Sequence, residues 1–399
     1  MSNRKRAVAA FIMAGGLLMA ACGSSSSSST TTTSSSASPT TISINSFNTS
    51  FTAMAGLKSL AAEGKGNVAV ILPDTVSSAR YTEFDAPYLT EAFQKAGLSA
   101  SQFTVQNAQG SDATQLTDAQ SAISAGASVL VVDPLDSGVG ASIESYAKQH
   151  GVETIDYDRL TLGGSRQYYV SFNNVKVGTL IGNGMVSCLA SWKVAKPQLA
   201  VMVGAPTDNN ATLFAQGYNA VLNPYFASKA YVKAATPAGT WDPPTAETEF
   251  QQALTAHAGI NAAVVPNDEN AAPIITYLKT LGIPANKFPI TGQDATLVGI
   301  QNIISGYQCG TVYKPIYEEA QAAAALALYL RAGKTAPAGL VNGTTTDTVS
   351  KVAVKSVLLN PEWVVPSTVE STVVHDGFVP ASQICVGAYV TDCTKYGIS

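Results

Sequence analysis

Val68-Ala-Val-Ile-Leu72-Pro73-Asp74 decides how the rest of this 399-residue chain reads. An unbroken apolar run, rich in β-branched residues, stops at a proline and a carboxylate. A strand alternating apolar and polar residues would be covered on one face, whereas a continuously apolar one is covered on both. The same form recurs along the chain. Ser128-Val-Leu-Val-Val132 precedes Asp133-Pro134, and Glu153-Thr-Ile-Asp156 precedes Tyr157-Asp158-Arg159. Leu199-Ala-Val-Met-Val203 leads to Pro206-Thr-Asp-Asn-Asn210, Ala262-Ala-Val-Val265 to Pro266-Asn-Asp268, and Phe288-Pro-Ile-Thr291 to Gly292-Gln-Asp294. Helix-patterned stretches at 88–96, 113–125, 140–149, 175–189, 246–256 and 271–281 separate these runs. Strand alternating with helix predicts an α/β fold of doubly wound parallel sheets. In such sheets ligands bind at the carboxyl ends of the strands, so the polar clusters are expected to converge on one site. Asp and Asn also make good turns and helix caps, and Asp133-Pro134 is assigned to a structural turn.

Composition narrows the function. Only 13% of residues are charged and the net charge is −4, against roughly 25% charged in an average soluble protein. No Lys/Arg cluster is present to serve a nucleic acid. His150, His257 and His375 are scattered, with no metal-ligand spacing. No glycine-rich phosphate loop follows a strand and no GxSxG elbow occurs, so neither a nucleotide cofactor nor a serine nucleophile is expected.

The N-terminus reads as an address followed by a tether. Arg4-Lys5-Arg6 precedes the apolar run Ala7–Ala21, which is too short to span a bilayer comfortably and ends in small residues. Cys22 after Leu18-Met-Ala-Ala21 resembles the lipobox of bacterial lipoproteins, with Met19 where that pattern prefers Leu. The resemblance implies a signal peptide over 1–22 and a lipidated Cys22 that anchors an exported chain to the outer face of the membrane. Ser24–Ser36 is an unbroken Ser/Thr run, and residues 23–65 are expected to form a disordered spacer. Cys188, Cys309, Cys385 and Cys393 form an even set in an oxidising compartment. Three pairings are open to them; the closeness of Cys385 to Cys393 favours a small C-terminal loop, which leaves Cys188 with Cys309.

Seven short motifs then appear in order: Ser77-Ser-Ala-Arg-Tyr81, Tyr157-Asp-Arg159, Phe172-Asn-Asn174 with Val177-Gly178, Asp208-Asn-Asn-Ala211, Trp241-Asp-Pro243, Gly292-Gln-Asp-Ala295 and Val312-Tyr-Lys-Pro315. Together they resemble the D-xylose-binding and multiple-monosaccharide-binding proteins of ABC sugar importers, over about residues 68–333. The resemblance implies the type I periplasmic-binding fold, in which three chain crossings join two lobes and a sugar lies between them. The crossings are expected near 161–167, 311–316 and 352–364. One lobe would combine 66–162 with 316–348, the other 166–310 with 355–380, and 381–399 would be a tail. It also implies sugar contacts at Arg80, Tyr81, Asp158, Arg159, Asp208, Asn210, Trp241, Asn267, Asp294 and Lys314. Tyr81 stands where xylose-binding relatives more often have Trp. Asp208 is the weakest of these carboxylates, because it could serve only to orient Asn210 or Arg159. Asn173 is expected to cap a helix rather than touch ligand.

Such residues suit a monosaccharide. Planar carboxylate, amide and guanidinium groups each engage neighbouring hydroxyls, and aromatic rings cover the C–H face. The implied partners are a sugar and the permease of an importer, and the implied state is a monomer. Two rivals stand beside this reading: a sensor that presents sugar or an autoinducer to a membrane receptor, and a glycoside-processing enzyme using Asp158 and Asp294 as acid and base.

Overall fold

The computed structural model describes residues 42–399; the leader, Cys22 and the Ser/Thr run lie outside the described residues. The strands are β1 (Asn67–Leu72), β2 (Phe103–Asn107), β3 (Ala127–Val132), β4 (Glu153–Tyr157), β5 (Tyr168–Phe172), β6 (Gln198–Val201), β7 (Val232–Ala235), β8 (Ala262–Val264), β9 (Thr291–Gln293), β10 (Gly310–Tyr313), β11 (Gly343–Thr346), β12 (Ala353–Leu359) and β13 (Glu362–Val364). The helices of the first half are α1 (Thr52–Ala55), α2 (Lys58–Glu63), α3 (Ala86–Lys95), α4 (Asp112–Ser124), α5 (Ser137–Gln149) and α6 (Asn174–Ser191). Those of the second half are α7 (Asn209–Ala227), α8 (Pro243–Ala256), α9 (Asp268–Thr280), α10 (Leu297–Ile304), α11 (Ile316–Arg331), α12 (Ala381–Ile384) and α13 (Val390–Tyr396). A π-helical turn over Tyr81–Asp85 leads into α3.

Two sheets result, each parallel except at one edge. The first has the order β11-β12-β5-β4-β3-β1-β2, with β11 antiparallel to β12. In the second, β7-β6-β8 meets β9-β10-β13 through the Ala263–Ile290 bridge, and β13 is antiparallel to β10. This is the expected doubly wound α/β architecture. The alanine-rich α11 explains itself by position: residues Ala320 to Leu328 are fully buried, which is the fate of a helix that is apolar all round. In the second lobe α6 and α7 pack so closely that a Cβ on Gly178 would meet the Phe214 carbonyl, and one on Gly217 would meet the Val175 carbonyl. The Val177-Gly178 motif therefore serves helix packing.

Chain crossings between the sheets fall at 172–174, 313–316 and 359–362. The first and third differ from expectation in a connected way. Tyr168-Tyr-Val-Ser-Phe172 is a fully buried strand that stays in the first sheet beside β4, and β12 pairs in parallel with it, Ser356 opposite Tyr169. Lobe two therefore begins after Phe172 instead of at 166, and residues 355–359 belong to lobe one. The stretch 161–167 is a tight return: Arg166 is buried against Glu144 (3.4 Å), Asp156 (3.6 Å) and Asp347 (2.9 Å), which pins that turn to its own lobe.

The expected spacer is also too long. Residues 42–65 carry α1 and α2, and Ile42, Phe47, Phe51, Met54 and Leu57 are buried in the main core beside α3 and α11. At the other end, Ile384, Cys393 and Ile398 of the 381–399 segment join the core formed with α10. Disulfides link Cys188 to Cys309 and Cys385 to Cys393. Among the described residues no helix is long and apolar enough to cross a membrane.

Candidate functional site

The carboxyl ends of the strands in both sheets face one narrow pocket between them. All ten residues expected to meet there line it, joined by Ser77, Ser78, Phe214 and Gln293. Ser77, Ser78 and Gln293 lie inside motifs already singled out; Phe214 projects from α7 and carries no sequence signal of its own.

Asp158 and Asp294, each just past a strand, adopt φ of 56° and 89°, in the region non-glycine residues rarely enter. The geometry at Asp158 is held by its surroundings. Its carbonyl accepts from the Tyr169 hydroxyl (2.9 Å), the Ser171 hydroxyl (2.8 Å) and the Asn210 amide (2.8 Å). Its carboxylate accepts from Arg80 Nη1 (2.9 Å) and the Tyr81 hydroxyl (3.0 Å). Burial alone would raise this carboxyl, but Arg80, Lys314 and Arg159 together hold it below the usual carboxylate range.

Arg80 is committed largely to protein. Asp85 takes Nε (2.9 Å) and Nη2 (2.7 Å), Glu319 also takes Nη2, and Asp158 takes Nη1. Of five N–H donors, one on Nη1 is left for a ligand. Burial opposes its charge, yet Asp158, Asp85 and Glu319 hold the guanidinium firmly protonated. Asp85 and Glu319 lie on helical segments, and Glu319 is 239 residues away in sequence, so no local pattern reveals their role.

Arg159 donates to the Tyr81 hydroxyl (2.9 Å), while its Nε lies 3.6 Å from Asp133 and 3.7 Å from Asp208. The Tyr81 ring has Arg80 and Arg159 guanidinium carbons each 5.5 Å from its centroid. Asp133 is thus more than the structural turn expected of it. It is fully buried, neither carboxylate oxygen has a hydrogen-bond partner, and burial raises its pKa well above the usual range against the pull of Arg159. Asp136, three residues on, does the capping of α5.

On the second lobe several strand-end residues have two duties. Asp208 caps α7 through the Asn210 amide N–H (2.8 Å) and accepts the Trp241 indole N–H (3.0 Å). The Trp241 ring lies directly on Gly204, where any Cβ would collide with it, and edge-on to Phe214 at 6.4 Å. The Asn210 side-chain carbonyl accepts from the Asn174 amide at 2.9 Å. Asn267 caps α9, and Asn173 caps α6 as expected. Lys314 meets Asp294 at 2.8 Å and stands 5.9 Å from the Phe172 ring centroid. Among the described residues no group of His, Cys, Asp or Glu is arranged to hold a metal ion.

Comparison with known proteins agrees with this architecture. The family described as "Periplasmic binding protein domain" matches residues 68–335. The chain belongs to this family. It is 36% identical over 296 residues to the D-xylose-binding periplasmic protein of Escherichia coli (strain K12), covering 73% of this chain and 86% of that one. The multiple sugar-binding periplasmic protein SbpA of Azospirillum brasilense is 31% identical over 362 residues, covering 85% and 99%. Among solved structures, a carbohydrate transporter solute binding protein from Chloroflexus aurantiacus in complex with D-glucose superposes with a TM-score of 0.70 at 26% identity, covering 79% of this chain and 97% of that one.

Proposed function

We propose that this periplasmic binding protein captures a monosaccharide, xylose or a related pentose or hexose, between its two lobes and delivers it to an ABC importer. The observation that carries this reading is the pocket wall. Strand ends from both sheets place Arg80, Asp158, Arg159, Asp294 and Lys314 around one small space, with Trp241 and Tyr81 as its aromatic surfaces. Planar charged groups address hydroxyls, and rings address the C–H face. Contacts from two lobes across three crossings make ligand and closure mutually supporting. The likeness to a D-xylose-binding and a multiple sugar-binding protein supports the ligand class.

The acid–base pair that the enzyme reading calls on, Asp158 and Asp294, is poorly suited to turnover. A glycoside hydrolase needs one carboxyl that can donate a proton. Asp158 is held ionised by three cations, and Asp294 is ion-paired with Lys314. The lipobox-like sequence at Cys22 supports an exported, membrane-anchored form working beside its permease. Uptake tests delivery: a strain lacking the protein is expected to lose uptake of the bound sugar and regain it with the wild type. A Cys22→Ser variant is expected to leave the membrane fraction. Unchanged sugar uptake in the deletion strain, or release of nitrophenol from aryl xylosides by the purified protein, would overturn the reading.

A further inference from the structure

The two lobes are also joined directly by hydrogen bonds at the edge of the pocket. They link the loop after β1 in the first lobe to the start of α9 and the loop after β9 in the second. Asn267 donates its amide to the Ser77 carbonyl at 2.9 Å. The Ala79 backbone N–H donates to Glu269 Oε1 at 2.7 Å. The Ser78 hydroxyl lies 3.0 Å from Asp294 Oδ2 and 3.3 Å from Glu269 Oε1.

The Ala79 bond has a particular meaning. Thr82 and Glu83 donate their N–H groups back to the Ala79 carbonyl, so the helical run through α3 begins there. The first N–H groups of a helix have no intrahelical partner, and a Ser, Thr, Asp or Asn at that point usually accepts one of them. Here the residue is alanine, and no side-chain cap comes from Arg80 either. Ser78 Oγ accepts from the Arg80 N–H at 3.5 Å, whereas the acceptor for the Ala79 N–H is supplied by the other lobe. Glu269 thereby caps a helix it does not belong to; burial beside Asp294 raises its carboxyl well above the usual range. Glu269 is absent from the pocket wall, and its second oxygen, Oε2, is buried with no partner.

We infer that Glu269 is a positioning residue that stabilises lobe closure through this inter-lobe cap, independently of which sugar is bound. When the lobes part, the Ala79 N–H and the Glu269 carboxyl both lose their partner. Glu269 therefore adds the same free energy to the closed form for every ligand. This is unlike a pocket residue, whose loss changes one sugar more than another. The inference rests on the sugar-capture reading only for the choice of ligands.

The test compares wild type, Glu269→Ala and Glu269→Gln by calorimetry against D-xylose, D-glucose and D-ribose, with small-angle scattering of the sugar-free proteins alongside. Glu269→Ala is expected to weaken every measurable sugar by the same factor, about tenfold for one buried hydrogen bond, with the ratios between sugars and the binding stoichiometry unchanged. Glu269→Gln keeps an oxygen for the Ala79 N–H and is expected to recover most of the affinity. Unchanged affinity in Glu269→Ala, or altered ratios between sugars, would overturn the inference. If wild type binds none of the sugars, the functional reading fails on its own. The cap is then judged by scattering: a larger radius of gyration in Glu269→Ala supports it, and an equal one overturns it.

Discussion

Arg80 donates from Nη1 to the Asp158 carboxylate at 2.9 Å, tying the loop after β1 to the loop after β4. Asp85 and Glu319 take Nε and Nη2, and all four side chains are nearly inaccessible to water. Removing one partner of a buried ionic group leaves uncompensated charge, at a cost of about 3–5 kcal/mol. Arg80→Ala is therefore expected to lose sugar binding and stability together, read as a lowered denaturant midpoint. Arg80→Ala with wild-type stability would show that the three carboxyls do not depend on it.

Trp241 should behave in the opposite way. It is half-buried, seated on Gly204 and bonded to Asp208. Trp241→Ala is expected to lower sugar affinity by at least about a hundredfold, as expected for removal of a central aromatic anchor, while changing unfolding free energy by no more than about 1–2 kcal/mol. Calorimetry and a denaturant titration separate the two effects. A larger stability loss with little change in affinity would make Trp241 a core residue.

Three carboxyls set a pH dependence, Glu319 and Asp268 fully buried and Glu318 partly so. Burial, with Asp158 and Asp85 nearby, pushes Glu319 up to about 8 despite Arg80. Burial likewise pushes Asp268 and Glu318 up to about 7, each with further carboxylates close by. Their unfolded values lie near 4, so between about pH 4 and pH 8 the folded chain binds more protons than the unfolded one. Stability is fully present below the unfolded values and falls as pH rises through the folded ones, by up to about 1.4 kcal/mol per pH unit for each group. Melting temperature is expected to drop from pH 5.5 to pH 8.5, and less steeply in Glu319→Gln. A melting temperature that rises over this interval would contradict the assignment.

The Cys188–Cys309 bond closes a loop with a sequence separation of 121 between α6 and the start of β10. A Cys188→Ser/Cys309→Ser double variant is expected to lose about 2–5 kcal/mol. The Cys385–Cys393 bond spans a separation of 8, and its removal should cost less, since the entropy of closing a loop grows with its length. Paired denaturant titrations check the order, which reverses if the tail staple dominates.

The strands that were easy to read are the buried, continuously apolar ones, and their polar ends led directly to the pocket. β2 escaped notice because it is an edge strand in which only Phe103 is buried. Tyr168–Phe172 was misplaced across a crossing because a strand's sequence does not say which sheet it joins. The partners of Arg80 were equally hidden, since an Arg–Glu pair spanning 239 residues leaves no local trace. Residues 42–57 hold no charged side chain and read as a solvated spacer, but Phe47, Phe51, Met54 and Leu57 use that apolarity to pack. The dual roles of Asp208 and Asn267, helix caps that also bridge to other loops, show why capping and site readings of a strand-end residue need not compete.

Calorimetry of the soluble chain lacking residues 1–22, titrated with D-xylose, L-arabinose, D-glucose, D-galactose and D-ribose, tests the central claim most directly. At least one sugar is expected to bind one-to-one at micromolar affinity or tighter. No heat with any of the five would contradict the assignment of this cleft to a monosaccharide.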